Sequence, residues 1–221
     1  MHASSVSSCN TVIRVTTCGR AWEMERPADL ETLWEQMDVF NEDERLPYWT
    51  EIWPSSLALG DWLARQAARI HGRLALDLGC GIGLTALVGS SLGAHVIGMD
   101  YEPEALAFAR KNAFRNGVPQ PCWTAMDWRK PAVRAHSISF IWAGDIMYET
   151  RFAQPICNFL DHSLTSSGIA WIAEPCRSVY DLFRSTLVNR RWNCRCVLNT
   201  SVPAVIPQPR PVPVRIWEIT R

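Results

Sequence analysis

From residue 73 onward, short apolar runs alternate with stretches whose apolar residues recur every three to four positions, the pattern of strands and helices in an α/β sheet. Leu74 to Leu78 reads as a buried strand. Leu84, Leu87, Val88 and Leu92 follow at helical spacing, and Gly93 stands where a helix ends. A strand over His95 to Met99 leads to a helix opened by Pro103, carrying Leu106, Ala109 and Ala113, and stopped at Gly117. Strands over Cys122 to Met126 and Ile138 to Ala143, a helix over Phe152 to Leu164, a strand over Gly168 to Ala173 and a helix over Val179 to Asn189 continue the alternation. The last two strands, Trp192 to Leu198 and Val212 to Ile219, have only a proline-rich loop between them. Without a crossover helix they pair antiparallel. Upstream, the pattern predicts a strand over Val12 to Thr16, a charged helix near Asp29 to Met37 and a helix over Pro54 to Ile70 with Leu59, Trp62, Leu63 and Ile70 on its apolar face. The expected organisation is an extension over residues 1–46 packed on a doubly wound α/β domain over residues 47–221.

Composition narrows the partners. The 221 residues carry 22 Lys+Arg against 22 Asp+Glu, so the net charge of zero removes the electrostatic footprint expected of a nucleic-acid or anionic-membrane binder. No run of 18 apolar residues and no export signal occurs, which predicts a cytoplasmic location. The eight cysteines are scattered through a full-sized domain and read as reduced thiols. Cys194 and Cys196 lack a second pair at metal spacing, so no metal is expected. A monomer is expected.

The chemistry concentrates at Asp77-Leu78-Gly79-Cys80-Gly81-Ile82-Gly83, between a strand and a helix. Successive glycines let a ligand approach the backbone, and a helix N-terminus offers free N–H groups. The acid two residues before Gly79 would repel a dinucleotide pyrophosphate and attract an amine or sulfonium. Asp100 ends the next strand, where a carboxylate matches the vicinal hydroxyls of a ribose. Asp127 and Trp128 follow the third strand, where a carboxylate can accept from an exocyclic amine and an indole can cover a purine.

These residues resemble the class I, seven-stranded S-adenosylmethionine-dependent methyltransferases. LDLGCGIG is close to the first motif of that family, and the late strand pair matches its antiparallel hairpin. The resemblance covers residues 54–219 and implies a Rossmann-like, mostly parallel seven-stranded sheet. It implies that Asp77 and the loop of Gly79, Cys80, Gly81 and Gly83 hold the methionyl part of S-adenosyl-L-methionine. Asp100 would take the ribose, Tyr101, Asp127 and Trp128 would lie around the adenine, and Trp53 and Ala143 would complete the cofactor site. S-adenosyl-L-homocysteine is the implied product.

Two segments are similar to the lysine-methyltransferase branch called methyltransferase family 16, including its bacterial electron transfer flavoprotein β-subunit lysine methyltransferases. Pro47-Tyr48-Trp49-Thr50-Glu51-Ile52-Trp53-Pro54 precedes the first domain helix, and Asp145 to Glu149 follows the fourth domain strand. The resemblance implies a protein lysine as acceptor, aimed by Asp145 and lined by Tyr148. Glu174-Pro175-Cys176-Arg177 is similar to the Asp-Pro-x-Arg of bacterial members, with Glu in place of Asp. A small amine, or another small-molecule N- or O-acceptor, stays open, as does a cofactor-binding module without turnover. The Asn/Asp-Pro-Pro-Tyr/Phe of amino-methylases of bases and glutamine is absent, and no His is paired with a nucleophile for hydrolysis.

Overall fold

The computed structural model describes residues 10–28, 47–203, 205 and 210–221. The charged helix expected near Asp29 to Met37 lies outside them. The core is a seven-stranded sheet of β3 (Leu74–Leu78), β4 (His95–Asp100), β5 (Cys122–Ala125), β6 (Ile138–Gly144), β7 (Leu164–Glu174), β8 (Asn193–Val202) and β9 (Val212–Thr220). Its order is β5-β4-β3-β6-β7-β9-β8. The pairs from β5 to β7 are parallel, while β9 is antiparallel to both neighbours. This is the doubly wound sheet with a terminal hairpin read from the sequence.

Strand alternation distributes the core over both faces. Phe140, Trp142 and Trp171 point to one side, where α1 (Pro54–Arg65), α3 (Leu84–Ser91) and α4 (Pro103–Arg115) contribute Leu59, Leu63, Leu87 and Phe108. Ile141, Ala170 and Ile172 point to the other, against Ile156, Phe159 and Leu160 of α5 (Ala153–Ser163) and Tyr180, Phe183 and Leu187 of α6 (Val179–Asn189). The chain leaves β3 toward β4 and β5 on one side and toward β6 and β7 on the other. The carboxyl ends of β3 and β6 therefore flank a topological switch point, where open α/β sheets bind ligands.

Three expected elements differ. The helix expected over Pro54 to Ile70 ends at Arg65 and resumes as the short α2 (Ala67–Ile70), because Gln66 leaves helical geometry at φ −100, ψ 9. The strand expected from Gly168 starts at Leu164. The strand expected at Val12 to Thr16 runs over β1 (Asn10–Thr17) and pairs with β2 (Arg20–Pro27), which the pattern did not predict. Cys18 and Gly19 form its two-residue turn, both with positive φ (56° and 68°), as a type I′ hairpin requires.

Trp22 and Met24 bury this hairpin's inner face. Asn112 on α4 and Asn116, the residue that caps its C-terminus, fasten the hairpin's edge. Asn116 accepts from Glu23 N and donates to Glu23 O (3.0 and 2.8 Å), and Asn112 accepts from Glu25 N (2.7 Å) and donates to Glu25 O (3.0 Å). The Asn112 amide also donates to Ile82 O of the glycine loop at 3.0 Å. Asn112→Ala leaves the buried Ile82 O and the half-buried Glu25 N and O unpaired. It should cost about 2–3 kcal/mol and lower Tm by roughly 5–10 °C in a thermal melt. Among the described residues, no helix is long and apolar enough to cross a membrane.

Candidate functional site

A cavity of about 330 Å³ opens at the carboxyl edge of the sheet over the switch point. Its floor is the turn after β3. Gly79 and Gly81 both adopt positive φ (68° and 53°), and a Cβ on Gly79 would stand 2.9 Å from the Ile146 side chain. A side chain at either position would strain the turn, and at Gly79 it would also intrude on the cavity wall. Cys80 lies between them, with burial pushing its thiol well up, so it faces the cavity as a neutral group.

Asp100 closes β4 beside this turn. One oxygen accepts from Gly81 N (2.7 Å) and the other from Glu102 N (3.0 Å), which fixes the carboxylate and leaves each oxygen a lone pair for a ligand hydroxyl. Desolvation pushes its acid up to about 6, with the backbone N–H donors opposing. Tyr101, Asp127, Trp128 and Arg129 form the neighbouring rim. Trp128 presents its ring there, in edge contact with Phe152 at 5.4 Å.

Opposite lies Asp145, one residue past β6. Its φ is +54°, rare for a residue with a Cβ, and its N–H donates to Ala173 O (2.9 Å), extending the β6–β7 ladder by one bond. The carboxylate is 3% exposed; Oδ2 accepts from Arg177 Nη2 at 3.1 Å, and Oδ1 is buried without a partner. Burial pushes its acid up to about 6, with the Arg177 guanidinium opposing and Glu174 adding to the rise. A file of rings lines the same cavity. Trp53 meets Tyr48 (5.9 Å), Tyr48 meets Tyr148 (4.8 Å) and Tyr148 meets Phe152 (4.9 Å). Burial pushes the Tyr148 phenol up, so it is a neutral hydroxyl at all working pH.

The structure thus brings Trp53, Gly79, Cys80, Gly81, Asp100, Tyr101, Asp127, Trp128, Asp145 and Tyr148 around one cavity. Three expected site residues stand outside its lining. Asp77 is 1% exposed and accepts from Thr85 Oγ1 at 2.7 Å, tying β3 to the start of α3, while its Oδ1 is buried without a hydrogen-bond partner. Gly83 caps α3 at φ 98°, where a Cβ would stand 2.8 Å from that of Ala109, so its smallness serves helix packing. Ala143 is fully buried in the sheet, and Gly144 after it reaches the cavity. Asp127 reaches the rim, but its oxygens are taken by Arg129 Nε at 3.0 and 2.9 Å, so a purine amine would have to share them. Residues not singled out for the site also line it: Tyr48 and Arg177, both inside quoted segments, and Phe152 and Arg151. The last two carry no signal in the sequence beyond their place after the fourth domain strand.

Asp77 behaves like the other two buried acids. Burial pushes it up to about 7, against the Thr85 hydroxyl and the Trp142 indole. All three acids hold protons in the folded chain that they release on unfolding, because each folded value lies above the ordinary one. Their contribution to stability is therefore lost as pH rises from about 4 to 7. The ligand-free protein should melt a few degrees higher at about pH 5.5 than at about pH 8. Asp77→Asn should flatten that difference.

Residues 75–161 match the family described as Methyltransferase domain. Over 139 residues the chain is 30% identical to the electron transfer flavoprotein beta subunit lysine methyltransferase of Xenopus laevis, covering 61% of this chain and 54% of that protein. It is 39% identical over 77 residues to the ribosomal protein L11 methyltransferase of Vibrio campbellii, covering 34% and 25% respectively. The matched region thus spans about half of the first relative's length and a quarter of the second's. Among solved structures, a T. thermophilus 16S rRNA methyltransferase in complex with AdoMet and guanosine superposes with a TM-score of 0.66 at 14% identity, covering 100% of this chain and 53% of that one. The magnesium protoporphyrin IX methyltransferase of Synechocystis with bound SAM gives 0.60 at 17%, covering 84% and 85%. These two likenesses establish the fold.

Proposed function

We propose, from the premise that residues 75–161 are a methyltransferase domain on a class I, S-adenosylmethionine-dependent fold, that this protein methylates the side-chain amine of a lysine in a protein partner. The observation that carries the reading is Asp145, a nearly inaccessible carboxylate on the cavity wall. It shares that cavity with a file of aromatic rings and with the Gly79 to Gly81 turn. A carboxylate and rings suit an ammonium on an alkyl stem. The relatives from Xenopus laevis and Danio rerio, named as electron transfer flavoprotein beta subunit lysine methyltransferases, support the same acceptor class.

The residues present fit the cofactor. The Gly79 to Gly81 backbone makes a cradle that a Cβ would fill, and Asp100 offers fixed acceptors beside it for the ribose hydroxyls. Tyr101 and Trp128 would bound the adenine, Trp53 would close the acceptor side, and Asp77 would act at one remove by holding the loop to α3 through Thr85. When bound, S-adenosylmethionine supplies an electrophilic methyl on a sulfonium and leaves as S-adenosylhomocysteine.

The chain's task is then positioning, which can supply about 7–11 kcal/mol of the barrier. The acceptor must lose its proton before its nitrogen lone pair can form the new bond, and neutrality at pH 7.4 costs roughly 4 kcal/mol for an ordinary lysine. A carboxylate beside the amine favours its charged form, so Asp145 captures and aims the cation. Tyr148 holds the stem with its ring and can donate its hydroxyl without ionising. A compact free amine is the second reading, favoured by the continuous ring wall. Incubation with methyl-labelled cofactor and host lysate separates the two. Label in a protein band, recovered as methyllysine after hydrolysis, supports the lysine acceptor; label confined to the small-molecule fraction overturns it.

A further inference from the structure

The methyl-transfer account gives Arg177 no task, yet its position is distinctive. Its Nη2 lies 3.1 Å from Asp145 Oδ2, and its Cζ is 5.9 Å from the centroid of the Trp53 ring. A carboxylate and an aromatic face are the two partners that hold a desolvated ammonium, and here a residue of the chain itself holds both. The two side chains differ in freedom. Asp145 is 3% exposed, whereas Arg177 is 41% exposed and has a direct path into water. Asp145 (φ 54°) and Cys176 (φ 60°), just before Arg177, are both left-handed non-glycine residues, so both ends of the pairing stand on backbone that few side chains adopt.

Among the described residues, Arg177 is the cation paired with Asp145. The ionisable groups acting with Arg177 on Asp145 are Glu174, at the end of β7, and the buried Tyr180 hydroxyl, on α6. Glu174 accepts from Trp217 Nε1 at 3.1 Å and keeps its other oxygen buried without a partner. A ligand that pushed Arg177 aside without bringing positive charge would leave Asp145 buried and unpaired beside a second acid, at high cost. A hydroxyl acceptor has that problem and an anionic one is repelled. A primary ammonium exchanges charge for charge.

We propose that Arg177 is a specificity-determining residue: its guanidinium stands in for the acceptor's cation on Asp145 and Trp53, swings to solvent when an alkyl-ammonium arrives, and so restricts the acceptor to amines. This rests on the reading of Asp145 as the acceptor-facing carboxylate. The test is a titration of cofactor-free protein with n-butylammonium and with n-butanol at about pH 8.5, where the carboxylate and the amine are both charged, followed by tryptophan fluorescence. Arg177→Gln should bind n-butylammonium about tenfold more tightly than the wild type, because an internal competitor lowers apparent affinity by the fraction of time that it occupies the site. Arg177→Lys should return toward the wild type. Asp145→Asn combined with Arg177→Gln should lose the gain, and n-butanol binding should not change. Unchanged or weaker ammonium binding in Arg177→Gln, or an equal gain for n-butanol, overturns the proposal. S-adenosylhomocysteine binding, measured separately on the same variants, tells failure of this exchange from failure of the methyltransferase reading.

Discussion

Asp100→Ala should lower affinity for S-adenosylmethionine by about a hundredfold or more, while the protein remains folded. The loss comes from two places. Each ribose hydroxyl donating to a carboxylate is a charge-assisted bond of about 1.5–3 kcal/mol. The same carboxylate holds Gly81 N and Glu102 N, so its removal also loosens the turn that forms the cavity floor. The fold should tolerate the change better than the ligand site does. Burial raises this acid to about 6, which means that its charge is carried at a cost to the folded state near neutral pH. Asp100→Asn removes that charge but sets an NH2 against one of the two backbone N–H donors, so the two effects offset; it should melt within a few degrees of the wild type at about pH 8 while binding at least tenfold more weakly. Equilibrium dialysis with labelled cofactor, beside thermal melts, reads both quantities. A parallel fall of Tm and affinity would instead make Asp100 a structural residue.

Asp145→Asn should do the reverse: cofactor affinity near that of the wild type, and kcat/KM for the protein acceptor down by about a hundredfold. An ion pair in a desolvated site is worth roughly 2–4 kcal/mol to a bound cation when one partner is truncated, and Asn keeps the shape without the charge. The pH profile is a second signature. The acceptor must be neutral to react, so kcat/KM rises with pH throughout the physiological range. Asp145 must be ionised to capture it, and burial holds that acid near 6 against Arg177. Below about pH 6 the two requirements act together, and the logarithm of kcat/KM should steepen from a slope of one toward two. In Asp145→Asn the steeper limb should vanish.

The parts of this site that the sequence makes legible are those encoded by neighbours along the chain. The run Leu74 to Leu78, its glycines and the apolar spacing after Leu84 specify strand, turn and helix together, because each depends only on local periodicity and on the few residues that accept positive φ. Asp100, the last residue of β4, and Asp145 and Tyr148, just past β6, follow from standing at the carboxyl ends of parallel strands. What escapes is decided by a partner elsewhere. Asp77 lies outside the cavity lining because its place is shared with Thr85, eight residues on, which returns over it with a hydroxyl. Asp127 looks available until Arg129 closes on both of its oxygens. β2 carries only Trp22 and Met24 fully buried among charged neighbours, too weak an alternation to mark a strand, and its edge is completed by Asn112 and Asn116 from a helix some ninety residues later. The aromatic file likewise draws its rings from two separate segments, Tyr48 and Trp53 before the domain's first helix and Tyr148 and Phe152 after β6.

We propose that the cavity over the switch point is an S-adenosylmethionine site built on Asp100 and the Gly79 to Gly81 turn. Isothermal titration of the wild-type protein with S-adenosylmethionine, repeated with Asp100→Ala, tests it most directly. One cofactor bound per chain, with affinity lost in the variant, is the expected result. No heat of binding with the wild type, or equal binding by the variant, would contradict it.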